Sequence, residues 1–155
     1  MDAAGPELLG RLFDDHAPAL ALYARQWCEA PEDVVQEAFV RLACQRSVPD
    51  RVVPWLFRVV RNGAISASRG ERRRRGREAR ASSPEAWFAP TGDPIDAAHA
   101  SRLVAGLDGD LREAVVARVW GGLSFDEIAA LHGCSVATAH RRYHAGLARL
   151  REQIS

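Results

Sequence analysis

One stretch decides the fold of the C-terminal half of the chain: Gly121-Gly122-Leu123-Ser124-Phe125-Asp126-Glu127-Ile128-Ala129-Ala130-Leu131-His132-Gly133-Cys134-Ser135. Ser124 followed three residues later by Glu127 is a capping-box pattern, so a helix is predicted to begin there. Gly133 tolerates a positive φ and is predicted to end that helix, and Ser135 to cap the next one. Two short helices joined by a tight turn with glycine are typical of a helix-turn-helix.

The helix after Ser135 has an apolar side and a basic side. At 100° per residue its apolar residues form one stripe that is predicted to be buried; they are Val136, Ala139, Tyr143, Leu147, Leu150 and Ile154. The opposite side carries small residues between arginines, which lets a helix lie close to a DNA groove while arginines reach phosphates or guanine edges. A solvated arginine-rich face is the usual explanation of such a pattern, but the preceding turn and capping box favour DNA recognition. This side carries Ala137, Thr138, Arg141, Ala145, Ala148 and Arg149, with Arg142 and His144 at its flanks.

Helices are predicted throughout the N-terminal half as well. The first runs from about Pro6 to Trp27, the second from Pro31 to about Cys44, and the third opens at Pro54. In the second helix one arc is apolar and is predicted to be buried; it consists of Val34, Val35, Ala38, Phe39 and Leu42. The other side carries Asp33, Gln36, Glu37, Val40 and Arg41. An exposed valine beside carboxylates is solvated surface or a partner site with an acidic rim.

The third helix runs into a block of arginines. One side of it carries Arg58, Arg61, Arg69 and Arg72, with Asn62 adjacent. The chain contains no lysine, and its net charge of +1 conceals this concentrated basic segment. A basic stripe over several turns is an electrostatic track for a phosphate backbone, whereas a solvated charged face usually mixes both signs.

The domain organisation follows from where these patterns stop. Residues 77–96 are rich in serine, proline and glycine and are predicted to be a flexible linker. After them a helix from about Ala97 to Trp120 is predicted, interrupted near Asp108-Gly109. The chain is therefore predicted to be all-α, with two small helical domains at 1–76 and 97–155.

Several classes of protein are disfavoured. No stretch approaches the roughly 20 apolar residues of a membrane span, and the N-terminus lacks the basic start and apolar run of a secretory signal, so a cytoplasmic protein is predicted. The three cysteines contain no Cys-x-x-Cys pair and are predicted to be reduced thiols. His140 and His144 are four residues apart, but Arg141 stands where a zinc-protease motif needs glutamate. No metal, cofactor or catalytic residue is predicted.

Three segments resemble bacterial sigma factors of the extracytoplasmic-function (ECF) subgroup. Glu32 to Leu42 is similar to region 2.2 of the sigma-70 family, and Trp55 to Asn62 to regions 2.3 and 2.4. Gly122 to Ala129, followed by Ser135 to Thr138 and Leu147 to Arg151, resembles region 4. The resemblance covers nearly the whole chain apart from the linker. It implies a transcription initiation factor, not an enzyme, which directs core RNA polymerase to promoters.

The resemblance also implies a role for particular residues. Contact with the clamp helices of the polymerase β′ subunit is expected of Asp33, Gln36, Glu37, Val40 and Arg41, and the β subunit is a further expected contact. The melted −10 element is expected to bind Arg46, Arg51, Arg58, Arg61, Asn62, Arg69 and Arg72. The −35 duplex is expected to bind Ser135, Thr138, His140, Arg141, Arg142, His144 and Arg149. An anti-sigma factor is implied as a further partner.

The chain departs from the family pattern at His140, Ala137, Ala145, Gly146 and Asp108-Gly109, and three rival functions stay open. Gly146 lies in mid-helix, where glycine makes helix formation less favourable by about 1 kcal/mol relative to alanine. His140 and His144 would strengthen phosphate contacts when protonated, so DNA binding that depends on pH is a hypothesis. The rivals are a stand-alone helix-turn-helix regulator, a metallohydrolase using the two histidines, and an adaptor that has lost promoter recognition.

Overall fold

Every regular element in the described part of the chain is helical. A computed structural model describes residues 3–75 and 94–154, and these form seven α-helices and one π-helical turn. The chain divides into two compact units, Met1–Ala79 and Arg80–Ser155. Within the described ranges, none of the helices combines the length and apolar character that crossing a membrane requires.

The N-terminal unit contains three helices, α1 (Pro6–Ala24), α2 (Pro31–Ala43) and α3 (Val52–Arg75). Helices α1 and α2 each begin at a proline, whose fixed φ suits the first helical position and whose missing N–H is not needed there. Pro18 lies inside α1 without ending it. Helix α1 ends three residues before the predicted Trp27, and α3 begins two residues before the predicted Pro54.

The core of this unit is formed by side chains from all three helices. Leu20 and Tyr23 of α1, Leu42 of α2, and Leu56 and Phe57 of α3 are fully buried. The aromatic rings meet edge to face, with the Tyr23 and Phe57 centroids 5.0 Å apart.

The C-terminal unit contains four α-helices. They are α4 (Pro94–Ala105), α5 (Gly109–Val115), α6 (Phe125–His132) and α7 (Val136–Ile154). Helix α5 continues directly into a π-helical turn, Val116–Trp120. The interruption predicted near Asp108-Gly109 is present between α4 and α5. The predicted linker 77–96 lies largely outside the described residues, and its last three residues belong to α4.

The apolar stripe predicted for α7 is buried only in part. Ala139 is fully buried, but Val136 is 45% exposed and Ile154 68% exposed, so the prediction was wrong at both ends of the stripe. A stripe read at 100° per residue extends along the whole helix, whereas burial requires a neighbouring element opposite each residue. Gly146, which was not part of the predicted stripe, is buried. It packs so closely on α5 that a Cβ built there would lie 2.6 Å from Val115 Cγ2.

Candidate nucleic-acid and partner interfaces

The ends of the two helices of the helix-turn-helix are capped as the sequence predicted. The Ser124 backbone N–H donates to Glu127 Oε1 at 2.8 Å, and the Glu127 backbone N–H donates to Ser124 Oγ at 3.2 Å. Gly133 ends α6 with φ at 66°, in the left-handed region. The Thr138 backbone N–H donates to Ser135 Oγ at 3.1 Å, which caps α7. Each contact satisfies a backbone donor that a helix terminus leaves unpaired.

A buried polar contact fixes α6 on α5. His132 Nε2 lies 3.0 Å from Glu113 Oε1, and both side chains are more than nine-tenths buried. Burial of two polar groups is tolerated here because they face each other. The contact was not predicted from the sequence, since it joins residues on separate helices.

The solvent-facing side of α7 presents the predicted DNA-contacting residues. His140, Arg141, His144 and Arg149 are exposed, as is Ser135 at the N-cap. Thr138 and Arg142 are half-buried. The Arg141 Nη2 group donates to Thr138 Oγ1 at 3.0 Å. This bond orients the guanidinium of Arg141. Because the bond is exposed to solvent, little energy is lost if the guanidinium leaves Thr138 to contact DNA.

Acidic residues of α5 and its N-cap face two arginines of α7. Arg142 Nη2 lies 3.8 Å from Asp110 Oδ2, and Arg149 Nη1 lies 3.7 Å from Asp108 Oδ2. Exposed ion pairs at these distances contribute little to stability. A phosphate can therefore replace either carboxylate at low cost.

The two histidines of α7 lie side by side. Their Nε2 atoms are 3.1 Å apart, and the His140 ring packs 4.9 Å from the ring of Phe125. A hydrogen bond between these two nitrogens requires one ring to carry its hydrogen on Nε2 and the other to accept there. In the described residues, no group of three or more histidine, cysteine or acidic side chains is placed to hold a metal ion.

The acidic and apolar face of α2 is exposed along its length. All five predicted polymerase-contacting residues are on this face and are exposed; they are Asp33, Gln36, Glu37, Val40 and Arg41. Val40 is the notable one, since an aliphatic side chain is left 61% exposed. Arg41 Nη2 pairs with Glu37 Oε1 at 3.2 Å, one helical turn away. The opposite face of α2 supplies the buried residues Val35, Ala38, Phe39 and Leu42.

The predicted −10 residues of α3 fall into two groups along the helix, Arg58 to Asn62 and Arg69 to Arg72. Arg58, Asn62, Arg69 and Arg72 are exposed, whereas Arg61 is half-buried. The Arg61 guanidinium carbon lies 5.5 Å from the ring centroid of Trp27, which follows α1. Arg46 and Arg51, on the segment between α2 and α3, are exposed. Sequence patterns did not reveal the Trp27 contact, because helical periodicity relates residues of one helix only.

Comparison with known proteins identifies the class. The family model for sigma-70 region 2 matches residues 12–74, and that for sigma-70 region 4 matches residues 100–150. Both regions of an RNA polymerase sigma factor are therefore present in the expected order.

Individual relatives place the chain within that class. It is 34% identical over 152 residues to the RNA polymerase sigma factor CarQ of Myxococcus xanthus, covering 92% of this chain and 87% of CarQ. It is 33% identical over 136 residues to the ECF RNA polymerase sigma factor SigE of Mycolicibacterium smegmatis, covering 80% of this chain and 51% of SigE. The chain belongs to the ECF sigma factors of the sigma-70 family.

Solved structures show the same fold. CnrH in complex with the cytosolic domain of CnrY superposes with a TM-score of 0.61 at 26% identity, covering 97% of this chain and 90% of CnrH. The sigma factor RpoE in complex with the anti-sigma factor NepR from Bartonella quintana gives a TM-score of 0.75 at 22% identity, covering 97% and 98% of the two chains. None of these matches favours a stand-alone regulator, and sigma factors as a family are initiation factors without enzymatic activity.

Proposed function

We propose that this chain binds core RNA polymerase through α2 and directs it to promoters by contacting the −10 element with α3 and the −35 element with α7. The observation that carries the proposal is the exposed α2 face, where a 61% exposed Val40 stands among carboxylates. This face lies within residues 12–74, which match the model for sigma-70 region 2. Because it acts with polymerase, we expect the protein to work in the cytoplasm.

The polymerase contact is assigned to the exposed residues of α2. An apolar side chain ringed by charged and polar groups has the composition of an interface centre with a polar rim. The carboxylates of Asp33 and Glu37 would pair with basic groups on the clamp helices of the β′ subunit. The β subunit is proposed as a further contact of the bound chain.

The two DNA contacts differ in kind. The basic stripe of α3, with Arg46 and Arg51, would hold single-stranded DNA of the melted −10 element through its phosphates. The exposed side of α7, including Arg141, would enter the major groove of the −35 duplex, as the second helix of a helix-turn-helix does. Ser135 at the N-cap and Arg149 near the end of α7 would contact the backbone that flanks the groove.

An anti-sigma factor is a further proposed partner. Both structural neighbours are complexes: CnrH is bound to the cytosolic domain of CnrY, and the sigma factor RpoE is bound to the anti-sigma factor NepR. An inhibitor that covers the α2 face would prevent polymerase binding by competition for the same residues.

Co-elution with bacterial core RNA polymerase on size exclusion tests the polymerase contact. The full chain is compared with Asp33→Arg/Glu37→Arg, which reverses two charges on the α2 face. Asp14→Arg/Asp15→Arg makes the same change of charge at two exposed residues of α1 and is the matched control. We expect the chain and the control to co-elute and the α2 variant to elute alone.

Two results would contradict the proposal. If all three proteins bind polymerase alike, the α2 face is not the contact. If none binds polymerase and the chain instead elutes as a dimer on a palindromic duplex, it acts as a free-standing regulator.

A further inference from the structure

Two exposed histidines of α7 bring their ring nitrogens close together. His140 and His144 lie one helical turn apart, and their Nε2 atoms are separated by 3.1 Å. An imidazole nitrogen that binds Zn²⁺ lies about 2.0–2.1 Å from the ion. Two such nitrogens at the observed separation of 3.1 Å would subtend an angle of roughly 100° at one ion. This angle falls between the right angle of a tetragonal site and the wider angle of a tetrahedral one, so the pair suits bidentate metal binding.

Neighbouring aromatic rings hold the two imidazoles in this arrangement. The ring of His140 packs edge to face on Phe125 of α6, with centroids 4.9 Å apart. The ring of His144 packs edge to face on Tyr143 at 5.2 Å, and Tyr143 in turn contacts Phe125 at 5.5 Å. Because these contacts already restrict the rings, less side-chain freedom is lost when an ion binds.

The residues between and around the pair leave both nitrogens available as ligands. Each neutral ring can carry its one hydrogen on Nδ1, so that Nε2 binds the ion. Arg141 stands where a zinc protease has glutamate, but that glutamate is the general base of the reaction and is not a metal ligand. The Arg141 guanidinium donates to Thr138 Oγ1 at 3.0 Å. Its positive charge weakens the affinity for a cation without removing either ligand.

We propose that His140 and His144 chelate one divalent transition-metal ion of the class that binds imidazole, Zn²⁺ among them. In the part of the chain that the structure describes, no third histidine, cysteine or acidic side chain completes a group with them, so water fills the remaining coordination positions. Structural zinc sites are closed by four protein ligands. This site is open, so the ion exchanges with solvent and the fold does not depend on it.

Calorimetric titration of the full chain with Zn²⁺ alone, in a non-thiol reductant, tests the site. His140→Ala and His144→Ala each remove one ligand. His144→Ala/Ala145→His keeps the number of histidines but moves the second ring off the face that carries His140. His99→Ala removes an exposed histidine of α4 and is the matched control. Cys44→Ser removes an exposed thiol that could bind Zn²⁺ instead.

The unaltered chain is expected to show a one-to-one binding event. Both alanine variants and the spacing variant should weaken it on the order of 100-fold, because the second contact of a chelate is intramolecular. His99→Ala and Cys44→Ser should bind as the unaltered chain does. The ring ¹⁵N resonances of His140 and His144 should shift when Zn²⁺ is added, whereas those of His99 stay in place. Circular dichroism confirms that each variant keeps its helices.

Three results would overturn the proposal. The first is the absence of a one-to-one event in the unaltered chain. The second is loss of binding in Cys44→Ser but in neither alanine variant, which would assign the ion to thiols. The third is a spacing variant that binds as tightly as the unaltered chain, which would show that the histidines do not act as a chelating pair. The proposed function stands or falls separately, because this titration contains neither polymerase nor DNA.

Discussion

The most informative single residue for packing is Gly146. Glycine in mid-helix is unfavourable by roughly 1 kcal/mol relative to alanine. Helix propensity alone therefore predicts that Gly146 destabilises α7. The structure shows the reason for it: a Cβ would lie 2.6 Å from Val115 Cγ2 and 3.4 Å from the Leu111 carbonyl oxygen. The absence of a side chain lets α5 and α7 approach each other closely.

Gly146→Ala is therefore expected to destabilise the chain by about 1–3 kcal/mol, the usual effect of overpacking, despite the gain in helix propensity. Thermal unfolding monitored by circular dichroism measures the change. Gly10→Ala in α1 is the matched control, because a Cβ there meets nothing within 4 Å, and it is expected to be neutral or stabilising. A second variant, Gly146→Ala/Val115→Ala, should recover part of the loss. Equal behaviour of Gly146→Ala and Gly10→Ala would contradict the packing explanation.

The cysteines differ in reactivity because of burial. Burial raises the pKa of the Cys28 thiol to about 11, and the nearby charge of Glu71 adds to the effect. At pH 8 only about one thiol in a thousand is then the reactive thiolate, whereas Cys44 is exposed. Iodoacetamide at pH 8 is expected to alkylate Cys44 while Cys28 is modified only on unfolding, as peptide mass spectrometry would show.

The sign of the associated pH dependence follows from the same shift. The folded unit favours the neutral thiol, so ionisation opposes folding, and stability is expected to fall as pH rises from 9.0 towards 11. Cys28→Ala should remove that part of the alkaline loss. Modification of folded Cys28 as fast as Cys44 would show that the thiol is accessible.

At the scale of elements, the helix-turn-helix was predictable because its signals are local. Ser124, Glu127, Gly133 and Ser135 act on backbone groups within four residues, and α6 has the predicted bounds Phe125–His132. The exposure of Val136 was not predictable, because burial depends on which helix lies opposite. The Arg61–Trp27 and Glu113–His132 contacts escaped for the same reason, since each joins separate elements.

The turn between α6 and α7 depends on one backbone conformation. Gly133 has φ of 66°, where a Cβ costs roughly 1–2 kcal/mol. Gly133→Ala is expected to lower the free energy of unfolding by about that amount. Gly133→Asn should cost less, because asparagine adopts this region more readily than other residues with a side chain. Urea denaturation of the two variants measures the difference, and an alanine variant as stable as the asparagine one would show that the turn can rearrange.

For the whole molecule, the distribution of charge matters more than its total. The net charge is +1, yet arginines form an exposed stripe on α3 and a basic side on α7, while carboxylates lie on α2. Such segregation suits a protein that meets polyanionic DNA with some faces and a protein partner with another. Neither the length nor the composition of the chain would reveal this, but the positions of its arginines do.

Salt dependence of promoter binding measures how many of these arginines meet phosphates. Binding of polymerase carrying this chain to a promoter fragment is followed by fluorescence anisotropy at several salt concentrations. Each arginine that releases a counterion contributes about 0.7 to 0.9 to the slope of log affinity against log salt. We expect Arg69→Gln and Arg72→Gln each to reduce the slope by that amount, and their combination by the sum, since both are exposed on α3. Arg11→Gln, at an exposed residue of α1, should leave the slope unchanged, because that helix lies outside the proposed DNA track. An equal reduction in all three single variants would mean that the chain attracts DNA through its overall charge. An unchanged slope in all three single variants and in the double variant would remove α3 from the DNA contact.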